Sequence, residues 1–297
     1  MRELVVVSGK GGTGKTSLTA AFASLASNNL LCDADVDAAD LHLLLKPEVR
    51  RTVDYMGGGK AIINADLCSH CGLCRDLCRF EAISDDFQVA AIGCEGCGVC
   101  VDLCPEKAID FPVQKCGQWF VSDTRVGPMV HARLGIAEEN SGKLVSCIRQ
   151  EAKRLAEEKG LELIITDGPP GIGCPVIAAI GGATALALIV EPTVSGMHDM
   201  SRLVDLAIHF KVPCLFCVNK YDLNLEMTEK MEEEARRRKM TVVGRVPFDP
   251  MFTRAMIVEQ TVIEYQQDSH IATAVREVWD AILSSQAMNS FGIRSFK

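Results

Sequence analysis

The sequence predicts an α/β fold: a mostly parallel sheet with helices on both faces, joined by an inserted small α+β domain. Two observations carry this. Short aliphatic runs alternate with helix-length segments, the rhythm of a parallel sheet built from strand–helix–strand units. In mid-chain that rhythm stops, and two compact runs take up most of the fourteen cysteines. The aliphatic runs show no apolar–polar alternation, which implies strands buried on both faces. At 297 residues, 48% of them apolar, the chain has room for one large domain and one small insert.

In order, a strand over residues 3–7 leads into a glycine loop and a helix over about 16–27. A second strand, 29–32, ends in Asp33-Ala34-Asp35-Val36-Asp37. From Lys46 to Lys60 the pattern dissolves into polar and glycine-rich sequence, which reads as a boundary. The cysteine block follows over 60–112. The α/β rhythm then resumes with a helix over 142–159 and a strand over 161–166. Further strands are expected over 186–190, 212–218 and 241–246, with a closing helix over 270–284. The large domain is therefore discontinuous, 1–59 with 113–297, and the small one is 60–112. Residues 171–190 carry no charge and could span a bilayer by length. Pro175 and Gly181-Gly182 divide them instead into a buried helix and a buried strand, so no integral membrane segment is expected.

The net charge of −8 argues against a nucleic-acid surface. Disulfide frameworks belong to small secreted chains, and Met1-Arg2-Glu3 leads straight into a strand, so a reducing cytoplasm is expected. The end, Phe291–Lys297, mixes apolar and basic residues but is short for membrane anchoring.

Gly9-Lys10-Gly11-Gly12-Thr13-Gly14-Lys15-Thr16 matches G-x4-G-K-[ST] between a buried strand and a helix start. Glycines let successive backbone N–H groups turn toward phosphate oxygens, and the helix N-terminus adds a favourable dipole. Lys15 would reach the β- and γ-phosphates and the Thr16 hydroxyl would ligate Mg²⁺; Ser17 completes the expected nucleotide-binding set. Lys10, directly after the first glycine, departs from the plain pattern. It marks the deviant loop of the MinD/nitrogenase-iron-protein/ParA group of P-loop ATPases, which this sequence resembles. In that group the lysine crosses a dimer interface to the partner's nucleotide, so the resemblance implies an ATP-sandwich homodimer.

The same resemblance assigns the remaining site. Asp33 and Asp35 match the switch I acids, which polarise the attacking water or hold the metal's surroundings. Asp37 lies one pleat further and could be a helix cap. Asp167 begins Asp-Gly-Pro-Pro-Gly and resembles the Walker B and switch II segment, where a carboxylate meets Mg²⁺. Asn219-Lys220-x-Asp222 looks like the purine-contacting NKxD motif. That motif leaves the base open between ATP and GTP; the group favours ATP.

Cys68-x2-Cys71-x2-Cys74-x3-Cys78 recurs 26 residues later as Cys94-x2-Cys97-x2-Cys100-x3-Cys104, followed by Pro105. This is the bacterial ferredoxin pattern, whose soft thiolates suit two [4Fe–4S] clusters. The fourth cysteine of each run ligates the other cluster. One cluster is thus expected on Cys68, Cys71, Cys74 and Cys104, the other on Cys94, Cys97, Cys100 and Cys78. Arg79 stands where the second run has Pro105, without changing the ligand count. A structural zinc site would instead use CxxC pairs across a longer loop.

Together these features resemble MinD-superfamily ATPases with an inserted ferredoxin domain. The likeness runs from Ser8 to about Asp249, through Glu139-Asn140-Ser141-Gly142-Lys143 and Glu191-Pro192-Thr193; Ser141 could equally be a plain N-cap. Cys174 lies seven residues after Asp167, the offset at which nitrogenase-iron-protein-like ATPases place a ligand to an intersubunit cluster. The second cysteine of such a site has no clear match, with Cys116 and Cys147 as candidates, and the alternative is a small buried residue before Pro175. Cys214 and Cys217 fall within one strand and face opposite ways; Cys32 reads as core. Arg236-Arg237-Arg238-Lys239 reads as the solvated basic end of a helix. Three functions are compatible: ATP-gated electron transfer to an unidentified partner, cluster carriage or assembly, and MinD-like positioning with redox-sensing clusters.

Overall fold

The structure, a computed structural model, describes residues 1–90, 92–135 and 141–289. Glu139, Asn140 and the Phe291–Lys297 end lie outside the described residues. The strands are β1 (Arg2–Val7), β2 (Asn29–Asp33), β3 (Glu48–Gly59), β4 (Ile62–Ile63), β5 (Ile109–Asp110), β6 (Val113–Thr124), β7 (Gly127–Leu134), β8 (Leu163–Asp167), β9 (Ala185–Val190), β10 (Cys214–Asn219) and β11 (Thr241–Val246). Nine of them form one sheet in the order β11-β10-β9-β1-β8-β2-β7-β6-β3. The pairings from β11 across to β7 are parallel. Only two residues join β6 to β7, a connection possible only between antiparallel neighbours.

The chain divides into two compact units. One comprises Met1–Thr52, Trp119–Arg133 and Ser141–Lys297; the other comprises Val53–Gln118 with the segment that begins at Leu134. In the first unit the aliphatic strands lie where unbroken apolar runs require. Leu4, Val5, Val6 and Val7 are wholly buried, and so are Leu186, Ala187, Leu188 and Ile189. The uncharged stretch is a helix, Cys174–Ile180, followed by β9. Among the described residues no helix is long and apolar enough to cross a membrane.

The sequence reading needs correcting between Lys46 and Lys60. That stretch is not irregular but contains the twelve-residue strand β3, within which one unit ends at Thr52 and the other begins at Val53. Most of its residues are exposed at the sheet edge, so no apolar run betrays it. The long strands β6 and β7 were likewise not anticipated.

The second unit repeats itself at 26-residue spacing. β4 pairs antiparallel with β5 through Ile63 and Ile109, and Ile83 bridges Val89 in the same sense. Asn64 N–H donates to Ala108 O at 2.8 Å, and Ala90 N–H to Ala82 O at 2.8 Å. Short helices, Leu73–Leu77 and Val99–Asp102, start after Gly72 and Gly98, both in the left-handed region. Each half of the sequence duplication therefore has the same local fold.

Candidate functional site

The phosphate loop leaves β1 and enters the helix Lys15–Leu25. Gly14 turns at φ 84°, where a Cβ would also lie 2.4 Å from Asn219 Nδ2, so glycine is required twice over. Gly11 and Gly12 are exposed, Gly9 and Ser17 half-buried. Asn219 and Lys220, at the end of β10, brace the loop from one side: Asn219 Nδ2 donates to Thr13 O at 2.7 Å and Lys220 Nζ to Gly12 O at 2.9 Å. Asp222 accepts from Phe248 N at 2.7 Å and so fastens a neighbouring loop.

The opposite side is acidic. Parallel register sets Asp167 level with Val6 and with Asp33, and Asp33 level with His131. Lys15 Nζ lies 3.0 Å from Asp167 Oδ2 and 3.3 Å from Asp35 Oδ2. Burial alone would lower the Lys15 pKa, but Asp167 and Asp35 outweigh it, and the ammonium titrates above its usual range. Thr16 Oγ1 donates to Asp167 Oδ2 at 2.7 Å, and Thr19 Oγ1 to Asp167 Oδ1 at 2.8 Å. Burial, then the charge of Asp167, pushes the Asp33 carboxyl well above the usual carboxylate range, against the pull of Lys15. One Asp33 oxygen accepts from Asp35 N; the other, Oδ2, is buried without a partner. Burial also raises Asp35, partly offset by Lys15. Asp37 is exposed and caps nothing; Asp40 precedes the short helix Leu41–Leu45, without a side-chain cap.

Sequence reasoning assigned no role to two partners here, Thr19 and the Glu191 of Glu191-Pro192-Thr193. Thr19, one helical turn beyond Lys15, follows from i,i+4 spacing on the inward helix face. Glu191, at the mouth of β9, pairs with Lys10 of the loop at 3.5 Å and with Lys220 of Asn219-Lys220-x-Asp222. Lys10 Nζ also donates to Ser195 Oγ at 3.5 Å.

The eight run cysteines line two cavities in the second unit. Cys68, Cys71, Cys74 and Cys104 surround the first, together with Ile63, Leu73, Phe87, Pro105, Ala108 and Ile109. Cys78, Cys94, Cys97 and Cys100 surround the second, with Ala82, Ile83, Val89 and Phe111 among its walls. Burial, then the nearby Cys94 and Cys97, raises the Cys100 thiol, and Cys74 of the other run adds to it. Among the described residues no three His, Cys, Asp or Glu side chains stand in the geometry of a single-ion site.

The remaining cysteines sort differently. Cys174 is exposed at the first turn of its helix, which corrects the expectation of a small buried residue. Cys116 is buried, with its Sγ on Gly57 O, and Cys147 is half-buried. Cys217 is buried and Cys214 half-buried; burial holds both thiols at about 12. Cys32 is core. Of the basic run, Arg236 and Arg237 hold Glu232 and Glu234 on their own helix, while Arg238 reaches Asp205.

Residues 4–262 match the CobQ/CobB/MinD/ParA nucleotide-binding domain. The chain belongs to that family. It is a nucleotide-binding protein of the MinD/ParA type. Over 284 residues, 94% of this chain and 96% of the relative, it is 31% identical to the uncharacterized protein MJ0578 of Methanocaldococcus jannaschii. Its fold is similar to the septum site-determining protein MinD complexed with Mg-ADP from Pyrococcus horikoshii OT3. There the TM-score is 0.60 at 17% identity, covering 95% of this chain and 96% of that one. It is also similar to MinD in the MinC:MinD cell division complex of Aquifex aeolicus, TM-score 0.58 at 18% identity over 96% and 97% of the two chains. At such identities the likeness is one of fold.

Proposed function

We propose that this protein binds and hydrolyses ATP with Mg²⁺ as a homodimer, and couples that cycle to electron transfer through two [4Fe–4S] clusters to a partner protein. The observation that carries the reading is the four-and-four division of the cysteines around two cavities, each taking its fourth thiol from the other run. Soft sulfur donors in mostly apolar walls suit an iron–sulfur core. The clusters would supply a one-electron couple. Cys68, Cys71, Cys74 and Cys104 would hold one, and Cys78, Cys94, Cys97 and Cys100 the other.

At the nucleotide end, Lys15 is held by carboxylates that phosphate oxygens would replace as its partners. Thr16 Oγ1 and Asp167, already in contact, would hold Mg²⁺, whose role is to neutralise phosphate charge. The unpartnered Asp33 oxygen fits this use, because it is an acceptor buried beside the metal ligand. Asp33, whose free oxygen lies buried beside Asp167, would orient the attacking water. Lys10, held by Glu191 in one subunit, is the group that would reach across to the partner's nucleotide.

Lys15→Ala should abolish the ATP-stimulated reduction of a one-electron acceptor dye by the dithionite-reduced protein, while iron content stays constant. ATP-dependent reduction that survives in this variant would overturn the coupling.

A further inference from the structure

We propose that Arg149 is a positioning residue that fixes the segment after Asp167 to the helix through which the chain leaves the cysteine unit. The proposal rests on the ATP-coupled reading above and deepens it. Arg149 lies on the helix Ser141–Glu158 and is buried, as is its partner Glu3 at the start of β1. Arg149 Nε donates to Glu3 Oε1 at 2.8 Å and Nη2 to Oε2 at 2.7 Å, a bidentate pair. Glu3 Oε1 also accepts from Thr166 Oγ1 at 3.1 Å, one residue before Asp167. Lys153, one turn along from Arg149, brings Nζ to 3.3 Å from Glu3 Oε2.

The third arm of the guanidinium points elsewhere. Arg149 Nη1 donates to Ala178 O at 2.6 Å and to Gly181 O at 2.9 Å, at the C-terminal end of the helix Cys174–Ile180. Helix ends leave such carbonyls without intrahelical partners, and a cation there also meets the favourable end of the helix dipole. At the other end of the same two helices, Gly142 approaches Cys174 so closely that a Cβ would lie 3.3 Å from the Cys174 carbonyl carbon and Cβ. The helix Cys174–Ile180 follows Asp-Gly-Pro-Pro-Gly and is thus gripped at both ends by one neighbour.

That neighbour begins six residues after Gly135, whose N–H donates to Cys116 O at 2.7 Å within the cysteine unit. Displacement of the segment after Asp167 is therefore passed to the helix Ser141–Glu158. A buried ion pair seldom adds stability over an apolar pair of equal volume. What this one adds is direction: four hydrogen bonds tie the phosphate-loop strand and the end of the helix Cys174–Ile180 to the Arg149 side chain, and the residue before Asp167 joins them through Glu3.

Arg149→Lys keeps the charge beside Glu3 and loses the fork. In the cluster-loaded protein this variant should leave the affinity for a fluorescent ATP analogue within about twofold, and the electron paramagnetic resonance of the reduced clusters unchanged. Its kcat for ATP should fall about tenfold with KM unmoved, and the ratio of rates between oxidised and reduced protein should collapse toward one. Gly142→Ala, at the far end of the grip and away from the ion pair, should lower the same ratio; it carries the test if Arg149→Lys does not fold. A wild-type kcat and ratio in either folded variant would overturn the proposal. If the wild-type rate is itself indifferent to cluster oxidation, the coupled function falls, and the positioning role stands or falls on the kcat of Arg149→Lys alone.

Discussion

The two units of this chain are built on different principles. The nucleotide unit has a dry interior: the β1, β8 and β9 aliphatics are buried on both faces, and Leu18, Phe22 and Trp279 close the core beneath them. The cysteine unit has almost none. Its buried apolar residues amount to small groups such as Ala61, Ala82, Ile83, Ala108 and Ile109, while Leu67, Phe80, Ile92 and Leu103 are exposed. A unit of that size with so little core needs another source of stability. Eight thiols around two cavities can supply it only by binding something, since metal-binding free energy becomes folding free energy. On the proposed reading, the same chain holds a part that folds by burial and a part that would fold by ligation.

The largest consequence of the contrast lies in iron removal. Anaerobic chelation should unfold the cysteine unit and leave the nucleotide unit intact. Hydrogen exchange would show this as lost protection over residues 60–112, with β1, β8 and β9 unchanged. Retained protection at Asn64 and Ala90 after complete iron loss would mean that the unit folds without ligation.

In the nucleotide unit the vulnerable points are buried polar groups rather than missing core. His131 is buried, hydrogen-bonded to Ser122 Oγ at 2.8 Å and stacked on Phe120. Burial, then the nearby His42, lowers its pKa from 6.5 to about 4. Below pH 6.5 the unfolded chain takes up a proton that the native state refuses, so stability falls as pH drops from 6.5 to 4. The loss is at most about 3 kcal/mol. His131→Gln keeps the hydrogen bond without titrating. The gap in melting temperature between wild type and this variant should shift against wild type by several degrees from pH 7 to pH 4.5. A gap independent of pH would contradict the buried neutral histidine.

Asp33 gives the smaller effect and the opposite sign. Its raised pKa means that the native state binds a proton more readily than the unfolded chain, so this carboxyl costs stability above pH 4. Asp33→Asn should stabilise the nucleotide-free protein at pH 7 by about 0.5–2 kcal/mol, with the gain fading below pH 4, and should abolish hydrolysis. A destabilised Asp33→Asn would show that the acid is held by a partner rather than strained.

The contrast also explains what could be read beforehand. The phosphate loop, Asp167 and Asn219 were legible because their chemistry fixes residue type and spacing, and β1, β8 and β9 because strands buried on both faces have no polar interruptions. The eight run cysteines were legible for the same reason as the loop. β3 and β6 were not: the edge strand Glu48–Gly59 carries Arg50, Arg51 and Asp54 without penalty, and its neighbour β6 is mostly half-buried, with Gln114, Lys115 and Gln118 breaking its apolar pattern. Arg149 and Glu3, 146 residues apart, form a contact that no local pattern announces. Cys174 looked like a small residue buried before a proline, yet its place in the first turn of a helix turns it to solvent.

The measurement that tests the account most directly is the anaerobic rate of ATP hydrolysis by the cluster-loaded protein, oxidised and then dithionite-reduced. The account predicts a several-fold difference between the two states, lost in Arg149→Lys. Equal rates in the wild-type protein, with both clusters present and reducible, would contradict it.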